Sequence, residues 1–169
     1  MHRVPTRLRA LASIALVACT LGIAACQPTA PVPVLKAPTT AKATCTTTST
    51  RSIVVAESIV NSTRRLLAAA KADGLKLCGG GYRDAASQIA VRKANCGPTT
   101  YDIYEKPASQ CSPPTAKPGT SQHEKGLAID FESCSTRTTT CYKWLAKHAA
   151  TYGFKNLPAE PWHWSTTGY

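Results

Sequence analysis

Ser121-Gln122-His123-Glu124-Lys125-Gly126-Leu127-Ala128-Ile129-Asp130, answered by Glu160-Pro161-Trp162-His163-Trp164, is the stretch on which the reading of this chain turns. A His and an Asp seven residues apart, and a second His with a Glu three before it, offer two imidazole nitrogens and one carboxylate oxygen to a metal. One carboxylate is left over. A hydrolytic zinc site asks for that set: three protein ligands, an open position for water, and a base to deprotonate it.

The spacing suits strands. Leu127, Ile129 and Phe131 alternate with Gly126, Ala128 and Asp130, so the large apolar side chains face a core while Asp130 emerges on the other face beside two small neighbours. The same parity sets His163 against Trp162 and Trp164, at least one of which reads as core. Pro161 breaks the run just before, which lets Glu160 turn back toward the face of His163. The fragment from His123 to Leu127 superficially matches the helical H-E-x-x-H motif. Leu127 occupies the place of the second His and Gly126 suits a helix poorly, so Glu124 reads as solvated surface.

The pattern S-x-H-x-x-G-x-A-x-D followed by E-x-W-H resembles the VanY-type zinc D-alanyl-D-alanine carboxypeptidases (peptidase M15 family), relatives of the D-Ala-D-Ala dipeptidases and of the Hedgehog-like peptidase fold. The resemblance spans roughly residues 75 to 165. It implies that His123, Asp130 and His163 bind one zinc ion per chain and that Glu160 is the catalytic base. It also implies an α+β fold, a small antiparallel sheet carrying the zinc site with helices flanking it. The D-alanine-terminated stem peptide of peptidoglycan is the implied substrate.

A third chemical element is Arg83, at the exit of Gly79-Gly80-Gly81-Tyr82. A permanently charged fork of donors suits a substrate carboxylate or a developing oxyanion; the plain alternative is a surface pair with Asp84 or Glu105. Gly81-Tyr82-Arg83 followed by Gln88 is similar to the substrate-binding turn of that family, which implies substrate contacts for Tyr82, Arg83 and Gln88. Ser121 matches its substrate-contacting serine, or else is a turn-forming residue.

At the other end of the chain, Arg3, Arg7 and Arg9 precede an apolar run over 10–25 that ends Gly22-Ile23-Ala24-Ala25-Cys26. This is the form of a bacterial secretory signal over 1–25, too short for a retained membrane span. Ile23-Ala24-Ala25-Cys26 also resembles a lipobox, in which Cys26 becomes the lipid-modified N-terminus; a plain signal peptide cut elsewhere is the alternative. The expected location is the cell surface, outside the cytoplasmic membrane, with the lipid at Cys26 as the membrane contact. With Cys19 removed and Cys26 acylated, six cysteines remain, an even number that suggests three disulfides in an exported chain. Six allow fifteen pairings. Cys134 with Cys141 and Cys96 with Cys111 each bracket a short polar loop, which leaves Cys45 with Cys78.

Residues 26–44 are rich in Pro and Thr and read as a tether of about 50 Å when fully extended. That leaves 45–169 as a single disulfide-stapled peptidase domain, expected to be a monomer. Within it the periodicity of Ile53, Ala56, Val60, Leu67 and Ala70 predicts a helix over 51–73, capped by Ser49 or Thr50 and stopped at Gly74. A short strand is expected at Leu75–Leu77, a helix over 85–94 capped by Asp84, a long loop over 95–120, and a helix over 141–152 ended by Gly153. His148 on that last helix reads as partly exposed and not a ligand.

A net charge of +11, +8 once the three leader arginines are gone, points either to anionic wall polymers or headgroups as long-range partners or to a basicity that only confers solubility. No recognised nucleic-acid motif is present and an exported chain has little access to nucleic acid, so none is expected as a partner. Within the fold, an L,D-carboxypeptidase, a D-Ala-D-Ala dipeptidase, a cross-link endopeptidase and a non-catalytic peptidoglycan-binding domain are the rival readings. The retained Glu160 speaks against the last, since a binder has no use for a base.

Overall fold

The computed structural model describes residues 36–46 and 51–169. The leader, Cys26, the first part of the tether, and Ser49 and Thr50 lie outside the described residues.

The β-branched run Ser52–Ala56 takes the strand conformation that such side chains favour and forms β2. It pairs antiparallel with β1, Thr40–Thr44, in the register Ala43↔Ile53. Ala43 is fully buried, so Thr40–Thr44 belong to the folded domain, which begins before residue 45. The first helix correspondingly starts later than the periodicity predicts: α1 runs Glu57–Ala72, and Ile53 and Ala56 sit on the preceding strand. Val60, Leu67 and Ala70 do form its buried face, joined by Ile59 and Leu66. The helix stops at Asp73, and Gly74 follows at φ +76°.

A four-stranded sheet of order β3-β4-β6-β5 carries the rest. Its members are β3 Gly79–Gly80, β4 Ala128–Phe131, β5 Lys155–Asn156 and β6 His163–Ser165, all antiparallel. The strand expected at Leu75–Leu77 falls instead on the two glycines, because Gly79 alone allows the approach to β4: a Cβ there would meet the Asp130 carbonyl oxygen. Ile129, Phe131 and Trp164 face the core with Leu66, Leu77, Leu145 and Phe154.

Helix α2 covers Ala85–Cys96, and Asp84 caps it by accepting from the Ser87 N–H at 2.7 Å. The expected loop 95–120 holds a short helix, α3 Thr100–Tyr104, with Thr99 and Asp102 forming a reciprocal capping box, and a 3-10 turn at Ala108–Gln110. Helix α4, Thr140–His148, runs into a 3-10 turn over Ala149–Tyr152 that Gly153 ends in the left-handed conformation. All three disulfides form as expected: Cys45–Cys78, Cys96–Cys111 and Cys134–Cys141. The fold is thus α+β, with small antiparallel sheets, flanking helices and disulfide staples.

Gly126 joins the two sheets at the mouth of β4. Its φ is +68°, its carbonyl accepts the Ala56 N–H at 2.9 Å, and a Cβ would lie 2.6 Å from the Ala56 nitrogen. Gly126→Ala therefore combines left-handed strain with overpacking and should lower stability by about 2–4 kcal/mol. Gly74→Ala, at φ +76° with open space around it, should lose only about 1–2 kcal/mol. Urea unfolding of both variants measures the difference, and equal losses would mean that the contact with Ala56 carries no energy.

Candidate active site

Antiparallel pairing of β4 with β6 sets Asp130 directly across from His163, so the two side chains rise from the same face. His123 reaches them from the turn before β4, where its carbonyl accepts the N–H of Gly126 at 2.9 Å and of Arg83 at 3.1 Å. His123 and His163 are buried and Asp130 is partly open.

Hydrogen bonds on their outer sides commit both imidazoles. His123 Nδ1 lies 2.7 Å from the Gly81 carbonyl oxygen and His163 Nε2 lies 3.2 Å from the main-chain oxygen of Tyr169. Main-chain oxygens only accept, so each of these ring nitrogens is the one that carries the proton of a neutral imidazole. What remains is bare: His123 Nε2 and His163 Nδ1 face one another at 3.2 Å, with Asp130 Oδ2 and Oδ1 at 3.1 and 2.9 Å. Four acceptor atoms crowded without a proton repel one another, and a cation between them removes the conflict. Ionisation points the same way. Burial is the largest influence on His163 and opposes its charge, yet the Asp130 hydrogen bond and charge, the Tyr169 main-chain oxygen and the Glu160 charge together outweigh it and raise the imidazole pKa. Burial likewise raises the Asp130 carboxyl, but the bonds and charges of the two imidazoles hold it far below the usual carboxylate range. Two imidazoles and one carboxylate, each with a free lone pair aimed inward, fit a divalent metal.

Glu160 stands beside this group, its Oε2 4.0 Å from His163 Nδ1. The tight turn at Pro161 returns it to the face of His163, whose N–H donates to the Glu160 carbonyl at 3.1 Å. Burial raises its carboxyl above the ordinary glutamate range; the His163 charge opposes this and the Asp130 charge adds to it. Asn156, which sequence reading did not single out, clamps the same turn: its side-chain amide donates at 2.9 Å to the carbonyls of both Glu160 and His163.

Arg83 pairs with neither Asp84 nor Glu105. Its guanidinium lies 3.6 Å from Asp130 Oδ2 and donates to Gln88 Oε1 at 3.0 Å, so it belongs to the site. Gln88 is fully buried and Ser121, also buried, accepts the His123 N–H at 3.2 Å. Both line a cavity of about 190 Å³ shared with Arg83, Asp130, Glu160 and Trp162. Tyr82 is not among the lining residues; its N–H donates to the Val54 carbonyl and its role here is to hold the glycine turn against β2. Glu124 is not simply solvated: Oε2 accepts from the Gly119 N–H at 2.8 Å and from that of Ser121 at 3.4 Å, which fixes the turn presenting Ser121. His148 stacks on Trp144, away from the cluster. Trp164 is core as expected, while Trp162 is half-buried at the cavity edge.

Residues 52–169 match the family model described as VanY: D-alanyl-D-alanine carboxypeptidase. A D-alanyl-D-alanine carboxypeptidase of Enterococcus faecalis is 28% identical over 119 residues, which are 61% of this chain and 44% of that protein, so the match spans less than half of the relative's length. Among solved structures, VanYB in complex with D-alanine-D-alanine superposes with a TM-score of 0.55 at 22% identity, covering 80% of each chain. A mutant of the vancomycin-resistance D,D-pentapeptidase VanY from a VanB-type cassette, in complex with Zn(II), superposes at 0.51 with 23% identity, covering 73% of this chain and 78% of that one. These two likenesses are likenesses of fold.

If the facing acceptors form a metal centre, calorimetric titration with Zn²⁺ should show one ion per chain. A hundredfold excess over Kd should then raise unfolding stability by about 2.7 kcal/mol. Asp130→Ala should weaken uptake by at least about a hundredfold, the loss expected of a ligand or more. Undiminished binding in that variant would place the ion elsewhere.

Proposed function

We propose, from the premise that this chain belongs to the VanY D-alanyl-D-alanine carboxypeptidase family, that it is a zinc-dependent carboxypeptidase removing the C-terminal D-alanine of peptidoglycan stem peptides. The observation that carries the reading is the position of Glu160: a half-buried carboxylate with a raised pKa, next to but outside a three-residue ligand set.

His123 Nε2, one or both oxygens of Asp130, and His163 Nδ1 would hold the ion. Zinc is favoured because two imidazoles and a carboxylate leave a position open for water; Zn(II) is also the metal of the VanB-type neighbour. When bound in such a set it supplies Lewis acidity, bringing the pKa of water down to about 7. Glu160 takes the proton of the attacking water and returns it to the departing amine. Its raised pKa suits both halves of that task near neutrality, since a base matched to the working pH gives a proton back as readily as it accepts one. Arg83 keeps donors for the substrate while Gln88 holds one of its nitrogens in place. A guanidinium there stabilises the oxygen that gains negative charge as the carbonyl is attacked, or holds the terminal carboxylate. The first role is worth about 3 kcal/mol in a typical site. Ser121 lines the same wall beside His123.

We propose also that the domain works outside the cytoplasmic membrane, anchored by lipid at Cys26. Three disulfides support an oxidising compartment, and the leader of 1–25 supports export.

Mass spectrometry of the products from the zinc-loaded chain tests the activity. A stem pentapeptide ending in D-Ala-D-Ala should lose one D-Ala, the corresponding tetrapeptide none. Chelator should stop the reaction, and Glu160→Gln should lower kcat by at least about a thousandfold while zinc stays near one per chain. Cleavage of the tetrapeptide alone would make the enzyme an L,D-carboxypeptidase. Release of the D-Ala-D-Ala dipeptide would make it a dipeptidase, and intact peptides with zinc bound would contradict the carboxypeptidase reading outright.

A further inference from the structure

The cavity does not stop at the metal-ligating group. Its lining continues through Gln88, Val91 and Asn95 of α2 and through the segment Pro113–Ala116. Gln88, Arg92 and Asn95 stand at i, i+4 and i+7, on one face of the helix. Each of the three grips that segment. Gln88 Nε2 donates to the Ala116 carbonyl at 2.8 Å, Arg92 Nη1 to the Thr115 carbonyl at 2.5 Å, and Asn95 Nδ2 to the Thr115 hydroxyl at 2.8 Å.

Arg92 is the unusual member. It is fully buried, and among the described residues no carboxylate oxygen is one of its hydrogen-bond partners. Its remaining donors go to the main-chain carbonyls of Ile103 at 2.9 Å, Asp102 at 2.6 Å and Lys106 at 2.7 Å, and to the Cys111 sulfur at 3.3 Å. A desolvated guanidinium is tolerated only when its donors are met, and here the acceptors belong to α3, to the turn after it and to the cavity wall. One side chain thereby sets the position of Pro113–Ala116 relative to α2, and the Cys96–Cys111 bridge ties the same two pieces together.

The row of three points away from the reacting centre. Gln88 touches Arg83 at one end, and α2 rises about 10 Å between Gln88 and Asn95, the length of roughly three extended residues. A carboxypeptidase has a single residue on the leaving side, so a wall that long can meet only the acyl side. What the wall offers is main chain and shape, since Pro113, Pro114, Thr115 and Ala116 carry no charge. The peptide unit joining Thr115 to Ala116 is trans, so with the Thr115 carbonyl turned onto Arg92 the Ala116 N–H turns the other way. That N–H has no acceptor among the described residues and is free for a peptide carbonyl.

We propose that Pro113–Ala116 forms the subsite for the two or three peptide residues on the acyl side of the scissile bond, and that Arg92 is the positioning residue that sets it. The inference rests on the carboxypeptidase reading of the same cavity. It is tested by equilibrium binding, which does not require turnover. Calorimetry on the full zinc-loaded chain carrying Glu160→Gln gives Kd for a stem pentapeptide ending in D-Ala-D-Ala and for the D-Ala-D-Ala dipeptide. The pentapeptide should bind at least about tenfold more tightly. Arg92→Lys, whose compact ammonium cannot span four carbonyls, should weaken the pentapeptide about tenfold and the dipeptide less than about twofold. Asn95→Ala, which removes a single bond to Thr115, should shift the same ratio in the same direction and decides the matter should Arg92→Lys fail to fold. Equal effects on both ligands, or no length dependence before substitution, would overturn the subsite. Length-dependent binding together with no release of D-Ala by the Glu160-containing chain would sink the proposed activity and leave the subsite standing.

Discussion

The structure depends on a conflict held in place: two bare imidazole nitrogens and two carboxylate oxygens facing one another within about 3.2 Å. Such a group is stable only with positive charge at its centre. Hydrogen bonds from the outer sides prevent the rings from turning to relieve it, one to Gly81 and one to Tyr169. Both acceptors are main-chain oxygens, so the fold itself chooses which nitrogen of each ring looks inward. Around Tyr169 the choice is reinforced by Ser165, whose hydroxyl donates to the Tyr169 oxygen at 2.8 Å and accepts its N–H at 3.1 Å.

Much of the remaining architecture supplies precision to this group. The β4–β6 register brings Asp130 and His163 together, Gly79 lets β3 close on the back of Asp130, and Gly126 shapes the turn before β4 that carries His123. Asn156 ties the turn of Glu160 to the strand of His163, so base and ligand move as one unit. The disulfides lie away from the cluster and close loops of 7, 15 and 33 residues. Their service is to the supports: Cys45–Cys78 fixes the run into β3, and Cys96–Cys111 fixes the wall against α2.

The cluster was legible in the sequence because strand parity converts spacing into a face. His123, Asp130 and His163 converge as that parity and the family resemblance imply, and Glu160 returns to them because Pro161 breaks the alternation. The disulfide pairing followed from loop length. The sequence misled where two periodicities compete: Ile53 and Ala56 fit a helical face as well as a strand, and the β-branched run Ser52–Val55 decided for the strand once β1 was there to pair with it. β1 itself was hidden, since Thr-Ala-Lys-Ala-Thr carries too little apolar weight to stand out from a tether. Glu124 and Asn156 act through main-chain atoms, and Arg92 through four carbonyls. Contacts to main chain leave no residue-type pattern, so no spacing rule could have found them.

The central claim is that the fold fixes opposite tautomers on the two imidazoles so that a metal is met by Nε2 of His123 and Nδ1 of His163. Long-range ¹H–¹⁵N correlation spectra of the zinc-loaded chain, labelled at histidine, read this directly. The account predicts protons on His123 Nδ1 and His163 Nε2, with the metal-induced ¹⁵N shift on the other nitrogen of each ring. The same nitrogen shifting in both rings, or no shift in either, would contradict it.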